Sequence, residues 1–399
     1  MNRDQQKNLT VGSLQNLTSQ VNIGKFQERE VKMLTLTYEY KLIPTIFQIE
    51  IIEHTLTVCR SVWNYALRER KDWLNSRKSL LNTCSLEKEY IIPADAPFPN
   101  YHYQAKQLTE AKKIHPVLKS VNAQVLQQVL RRLERAFEDM KRKGMGCPRF
   151  KNHYRMRSFV YPQMLKNCLE EERIKLPQLG WVGFRKSREI PNNFKIKQAR
   201  IIRKASGYFI ALSLQLDVNI PQPFPHGHPR GLDLGFDKFV ATSDGEEVKR
   251  PRFFKTLQSK LKLLQRRLKK KRKGSKNRQK LNQKIARLHQ RISDTRKDWH
   301  FKLAHHLCDG VGMIFVEDIN LISWQRGMLS KHSADSGFGQ FVTILQWVCW
   351  KRDVYFAKVN KGGTSQECPQ CGTDTGKKTL EVRVHSCPEC GYVMLRPET

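Results

Sequence analysis

No stretch of this sequence approaches the roughly 20 apolar residues that a membrane-crossing helix needs, and its first thirty residues hold no apolar signal core. The expectation is a cytoplasmic, nucleoid-associated protein with no membrane partner, so Asn8-Leu9-Thr10 and Asn16-Leu17-Thr18 read as accidental glycosylation matches. Acid is scarce as well: 37 Asp and Glu stand against 72 Lys and Arg, a formal net charge of +35. A field of that size draws in polyanions, which makes nucleic acid the expected partner. A membrane-surface binder would instead need a free basic amphipathic helix, and none stands alone. Cysteine is sparse, with 10 in 399 residues. Cys59, Cys84, Cys147, Cys168, Cys308 and Cys349 lack metal-ligand spacing and read as reduced packing residues. At 39% hydrophobic, the chain can still bury a core and divide into two or three domains.

Residues 1–30 carry Asn, Gln and Ser without period, which predicts a disordered tail. From Leu34 to Tyr40, apolar and polar residues alternate as in a half-buried strand. Helices are expected from about Ile46 to Leu74 and around Leu126, Val129, Leu130, Leu133, Phe137 and Met140. Arg131, Arg132 and Arg135 fall off that apolar stripe, where they face either solvent or a phosphate backbone. Strands follow at 173–176, 181–185, 195–204 and 208–218, the last placing Ile210, Leu212, Leu214 and Leu216 on one face. They compose a small antiparallel barrel or sheet. Phe159, Tyr161 and Trp181 could stack RNA, but aromatics in strands are more often core. Pro221, Pro223, Pro225 and Pro229 mark a linker to a second domain.

That domain opens with Gly231-Leu232-Asp233-Leu234-Gly235, then Lys238 to Thr242, then the turn Ser243-Asp244-Gly245. Leu257, Leu261, Leu264 and Leu268 are mirrored by Leu281, Ile285, Leu288 and Ile292, the seam of an antiparallel helical hairpin. Its tip gathers Lys269, Lys270, Lys271, Arg272, Lys273, Lys276 and Arg278, a density of charge that suits phosphate contact better than plain solubility. Val311 to Val316 reads as a buried strand running into Glu317-Asp318; a helix from Gln340 to Trp350 and a strand from Val354 to Val359 lead to the last cysteines.

Those cysteines give the sharpest local signal. Cys368-Pro-Gln-Cys371-Gly372 and Cys387-Pro-Glu-Cys390-Gly391 form two knuckles with fifteen residues between Cys371 and Cys387. Four thiolates at this spacing suit one tetrahedral zinc ion, and a metal with every position filled by protein serves folding rather than catalysis. A redox pair is the alternative. Asp233 and Glu317 give a weaker signal, each on a strand but 84 positions apart. Paired carboxylates on neighbouring strands can hold Mg²⁺ beside a phosphodiester, yet spacing alone slightly favours simple ion pairs with arginine.

Taken together, several segments resemble the TnpB (OrfB) proteins of insertion sequences, RNA-guided DNA endonucleases related to type V CRISPR effectors. They are Gly231 to Gly245, Lys273-Gly-Ser-Lys-Asn-Arg278, Val316-Glu-Asp-Ile-Asn-Leu321, Gly339-Gln-Phe341 and Thr364 to Gly372. The resemblance spans most of the chain. It implies an α+β and α/β multidomain protein: an N-terminal β-barrel with a helical insert, an RNase H-like RuvC domain with a helical-hairpin insert, and a C-terminal zinc ribbon. The implied layout is a barrel over 31–220 with its insert at about 45–145, a RuvC-like domain over 226–361 with the hairpin at about 252–305, and a ribbon with the last RuvC segment over 362–399. It further implies Asp233 and Glu317 as catalytic carboxylates for Mg²⁺, with guide RNA and target DNA as partners, the guide supplying sequence specificity by base pairing.

One departure stands out. After the second knuckle the family carries Arg-Asp and a helix; here Arg396 matches the arginine, Pro397 takes the aspartate position, and Glu398 is one residue out of place. The expectation is impaired cleavage, because a missing ligand misplaces the metals. Two alternatives remain at this point: a nuclease-inactive RNA-guided repressor, and a zinc-ribbon RNA-binding protein with no guide or DNA target.

Overall fold

The computed structural model describes residues 31–77, 92, 93, 95–191, 194–324, 330–359, 366, 368, 370–376 and 384–395. The expected tail over 1–30, Cys84 and the Arg396–Glu398 segment lie outside these residues. The chain divides into two compact units, Met33–Asn219 and a second that takes in Ile220–Thr399.

The first unit is built on strand β1 (Val31–Ile43) and the 31-residue helix α1 (Ile46–Ser76). Helix α1 starts where Thr45 and Gln48 form a reciprocal capping box, satisfying two orphan backbone donors. The Gln48 amide then donates to the carbonyls of Leu179 and Trp181, tying the helix start to a strand turn. Helices α2 (Tyr101–Ile114) and α3 (Ala123–Lys143) pack with α1, and the apolar stripe of α3 is buried as its periodicity predicts. Arg70 is wholly enclosed between these helices. Its guanidinium bonds Gln104 at 3.0 Å and Glu134 at 2.6 Å, and lies 5.5 and 5.2 Å from the Phe98 and Phe137 ring centres.

Strands β2 (Ser158–Tyr161), β3 (Arg173–Leu176), β4 (Gly180–Arg185), β5 (Lys195–Lys204) and β6 (Gly207–Pro221) complete a six-stranded sheet in the order β2-β5-β6-β1-β4-β3. Of the two forms the sequence left open, the described residues give a sheet with β2 and β3 at its edges. Ile210, Leu212 and Leu214 are buried on one face of β6, and Phe159 and Tyr161 are core, as the commoner reading of strand aromatics expected.

In the second unit, β7 (Pro229–Asp233), β8 (Lys238–Thr242) and β9 (Glu247–Lys249) form an antiparallel meander, joined by β10 (Met313–Glu317) and β11 (Tyr355–Val359). The order is β11-β10-β7-β8-β9, and β10 runs parallel to both of its neighbours. Between β9 and β10 the chain makes the expected hairpin, α4 (Phe253–Lys269) and α5 (Lys276–Leu307). Helix α6 (Phe338–Lys351) precedes β11. Helices α5 and α6 supply Leu303, Ala304, Leu307, Phe341, Leu345 and Val348 to one core with Leu232, Phe239, Ile314 and Val316 of the sheet. Phe239 and Phe338 stack at 4.9 Å in its centre. Parallel strands need such cover, since both faces must leave water.

Cys59, Cys168, Cys308 and Cys349 are buried free thiols, as packing residues should be, whereas Cys147 is exposed. No helix among the described residues is long and apolar enough to cross a membrane.

Candidate functional site

Asp233 and Glu317 are the last residues of β7 and β10. These strands are parallel neighbours whose last registered pair is Val316 with Leu232, so the two carboxylates follow one step further along adjacent strands. Alternation explains why they are available. Leu232 and Val316 point into the core, and the next residue on each strand turns to the other side, where both acids are half-buried. Burial pushes the Asp233 carboxyl above its ordinary value, opposed by a hydrogen bond from the Leu234 backbone N–H. A carboxylate held in that condition favours either a proton or a cation. Its hard oxygens suit Mg²⁺. The next acid, Asp318, is instead engaged by Lys358 at 2.8 Å.

In the same unit is a layer of contacts that spacing did not reveal. His300 is fully buried, its Nε2 3.0 Å from the Ser336 carbonyl, and burial pulls its pKa down to about 4. Asp335 accepts the Phe254 backbone N–H at 2.8 Å and so caps helix α4 from a short helix, Ser330–Ser336, far along the chain. Arg296 donates to the carbonyls of Ala334 and Asp335. None of these contacts has a local sequence signature.

At the hairpin tip, Lys269, Lys270, Lys271, Arg272, Lys273 and Lys276 are exposed. Arg278 differs from them. It donates to the carbonyls of Leu268 and Lys271 at 3.0 and 2.9 Å, closing the end of α4 while Ser275 caps α5. The tip is thus a braced turn studded with six exposed cations.

The four ribbon cysteines do converge. Their sulfurs all lie within 4.8 Å of one another, with Cys368 and Cys390 at 3.5 Å and Cys371 and Cys387 at 3.5 Å. A tetrahedral zinc–thiolate site has sulfurs about 3.8 Å apart, from Zn–S bonds of about 2.3 Å. The donor set fits zinc. The two knuckles repeat one another: Gly372 N–H donates to Cys368 O and Gly391 N–H to Cys387 O, with both glycines at positive φ, +72° and +69°. Only glycine takes that turn without strain. Thr373, beside Cys371, holds that thiol below its ordinary value. Strands β12 (Val384–Ser386) and β13 (Val393–Leu395) pair on either side of the second knuckle.

Three family models match the chain. The OrfB model of IS605, described as "Probable transposase", matches residues 215–324; "Cas12f1-like, TNB domain" matches 338–396; and a helix-turn-helix model of OrfB matches 33–79. Over 33–77, the described part of that last segment, the structure is a strand followed by one unbroken helix. InsQ of Escherichia coli (strain K12), named for RNA-guided DNA endonuclease activity, is 32% identical over 291 residues, covering 69% of this chain and 72% of that protein. A protein of Streptomyces pristinaespiralis with the same activity in its name is 27% identical, covering 89% and 85%. Among solved structures, a Cas12f1–sgRNA–target DNA complex is similar with a TM-score of 0.49 and 15% identity, over 81% of this chain and 75% of that one. The likeness to InsQ, joined to the matches across both units, places this chain in the TnpB (OrfB) family of insertion-sequence proteins.

Proposed function

We propose that this protein binds a guide RNA and a target DNA and carries a RuvC-like nuclease site in which Asp233 and Glu317 hold Mg²⁺. The observation that carries the reading is the placement of the two acids at the ends of neighbouring parallel strands, with the Asp233 carboxyl raised by burial. The strand order, a three-stranded meander extended by two parallel strands, suits an RNase H-like domain over about 226–361. The names of InsQ and the Streptomyces relative support the activity.

Within this site, Asp233 and Glu317 would hold the ion with their carboxylate oxygens from the ends of two adjacent strands. Mg²⁺ would supply the charge that activates water and stabilises the leaving oxygen. The basic hairpin tip would hold nucleic-acid phosphates, with Lys269, Lys270, Lys271, Arg272, Lys273 and Lys276 as contacts and Arg278 bracing the turn. The ribbon would hold structural zinc. Base pairing by the guide supplies sequence choice, and the protein reads backbone shape.

Pro397 has no carboxylate at the position where the family carries its third acidic ligand. Cleavage is therefore expected to be weak, and the same residue favours a second reading, a guided binder that represses its target. The test is the purified protein with its co-expressed RNA, a matching DNA and Mg²⁺. Slow cutting that Asp233→Ala abolishes supports the nuclease reading; binding without cutting supports the repressor; no defined RNA and no target binding overturns both.

A further inference from the structure

The first unit contains a second cluster of positive charge, assembled from three separate elements. Lys151 is pinned by its backbone: its N–H donates to Asn64 Oδ1 at 2.8 Å, and its carbonyl accepts from Asn64 Nδ2 at 2.9 Å. The chain just before it is held as well, by Trp63 Nε1 on the Arg149 carbonyl at 3.1 Å. The Lys151 ammonium then lies 3.2 Å from the centre of the Trp63 ring. Arg132, on α3, reaches Ser158 Oγ at the start of β2 at 3.4 Å. Arg200, on β5, stands opposite Val160, two residues further along β2.

Two pairs among these cations repel. Arg200 acts on Arg132, and Arg132 acts on Lys151, whose ammonium is pushed down to about 7 by burial first and by Arg132 second. Among the described residues, no carboxylate is one of the groups acting on Arg132 or Lys151. The remaining titratable group acting on Lys151 is Cys59, whose buried thiol is pushed up to about 12. A fold that fixes Arg132 and Lys151 beside like charge, with no acid acting on either, gives up stability to the arrangement, and a resident anion would restore it. Two guanidinium forks and one ammonium are the donor set that phosphate oxygens accept best.

We propose that Arg132, Lys151 and Arg200 form a built site for one phosphodiester group of a bound nucleic-acid strand. The site rests on the nucleic-acid reading above and shares no residue with the hairpin tip or the carboxylate pair. Lys151 sits on its aromatic floor with the backbone fixed, so its ammonium is pre-placed for the phosphate. Arg132 and Arg200 supply the flanking donors from a helix and a strand.

The test uses the full-length protein with two fluorescein-labelled probes, a single-stranded RNA 12-mer and a 12-base-pair DNA duplex, titrated by anisotropy at graded KCl. Arg200→Gln and Lys151→Gln are each expected to weaken binding several-fold. Each should also make the dependence of log affinity on log salt shallower, by about 0.7 on the single strand for every phosphate that is no longer neutralised. The melting temperature of the protein without nucleic acid should hold or rise in Arg200→Gln, because its repulsion of Arg132 is relieved. A loss confined to RNA or to DNA supports the site and names its strand. Unchanged affinity and salt slope with both probes would overturn the proposal, as would a fall in the melting temperature of Arg200→Gln that accounts for its binding loss. Arg200 is exposed, so its variant keeps the test open if Lys151→Gln fails to fold. The measurement needs neither guide nor cleavage. Guide-directed binding with an unaltered salt slope would sink this site and leave the proposed function standing.

Discussion

The four-cysteine ribbon and the five-stranded sheet both place chemical groups at the ends of short strands, but they are held together by different forces. Among the described ribbon residues, the buried apolar side chains are Cys368 and Cys387 themselves, and the four sulfurs are the centre of the unit. In the sheet, Asp233 and Glu317 sit at the rim of a core of aromatic and aliphatic side chains that exists without them. A metal in the first region would be a folding element; a metal in the second would be a guest. The difference teaches that loss of metal should do opposite kinds of damage in the two places.

The largest expected effect follows from the ribbon. Structural zinc in small ribbons contributes roughly 10–16 kcal/mol to folding, so chelation, or Cys387→Ser, should open residues 366–395 to protease while the sheet stays protected. Limited proteolysis read by mass spectrometry, with zinc release followed by a colorimetric chelator, checks this. Cutting in both regions at once would break the comparison. The converse comes next in size. Phe341→Ala removes a ring from the centre of the second core, where it packs on Phe239 and His300, and should cost about 3–5 kcal/mol, read as a lower melting temperature with the zinc content unchanged.

A third expectation concerns acid. His300 has its folded pKa depressed from 6.5 to about 4, because burial disfavours its charged form. The unfolded chain therefore binds a proton first as pH falls. The contribution of His300 is fully present above about pH 6.5 and is lost between there and about pH 4, up to roughly 3 kcal/mol. Denaturant unfolding across that range should show the slope in the wild type and a flatter one in His300→Gln. The smallest effect has the opposite sign. Asp233 has a raised folded pKa, so its contribution is present at low pH and lost as pH rises through that value. Asp233→Asn should then raise the melting temperature slightly at neutral pH in metal-free buffer. A drop would mean the carboxylate is a structural partner rather than a ligand waiting for a cation.

Much of this was legible in sequence because it is local. The knuckles have fixed spacing and glycines at the turn closure, and the hairpin shows itself by leucines stepping four, three, four on both arms. The strand ends were legible too, but their pairing was not: spacing slightly favoured separate ion pairs for Asp233 and Glu317, and register across 84 positions is a tertiary fact. The same limit applies to Arg70 with Glu134 and Gln104, to Asp335 capping α4, and to Lys151 over Trp63. Each is a polar group placed against a residue distant in the chain. Arg278 shows a contact that composition does not reveal. It sits in a run of phosphate-seeking cations, yet its guanidinium is engaged by two carbonyls.

Calorimetric titration of Mg²⁺ into the zinc-loaded protein tests the central claim most directly. The wild type should bind the ion, Asp233→Asn and Glu317→Gln should each lose that binding, and zinc content should be equal in all three. Equal Mg²⁺ binding in the wild type and both variants would contradict the assignment of this strand pair as the metal site.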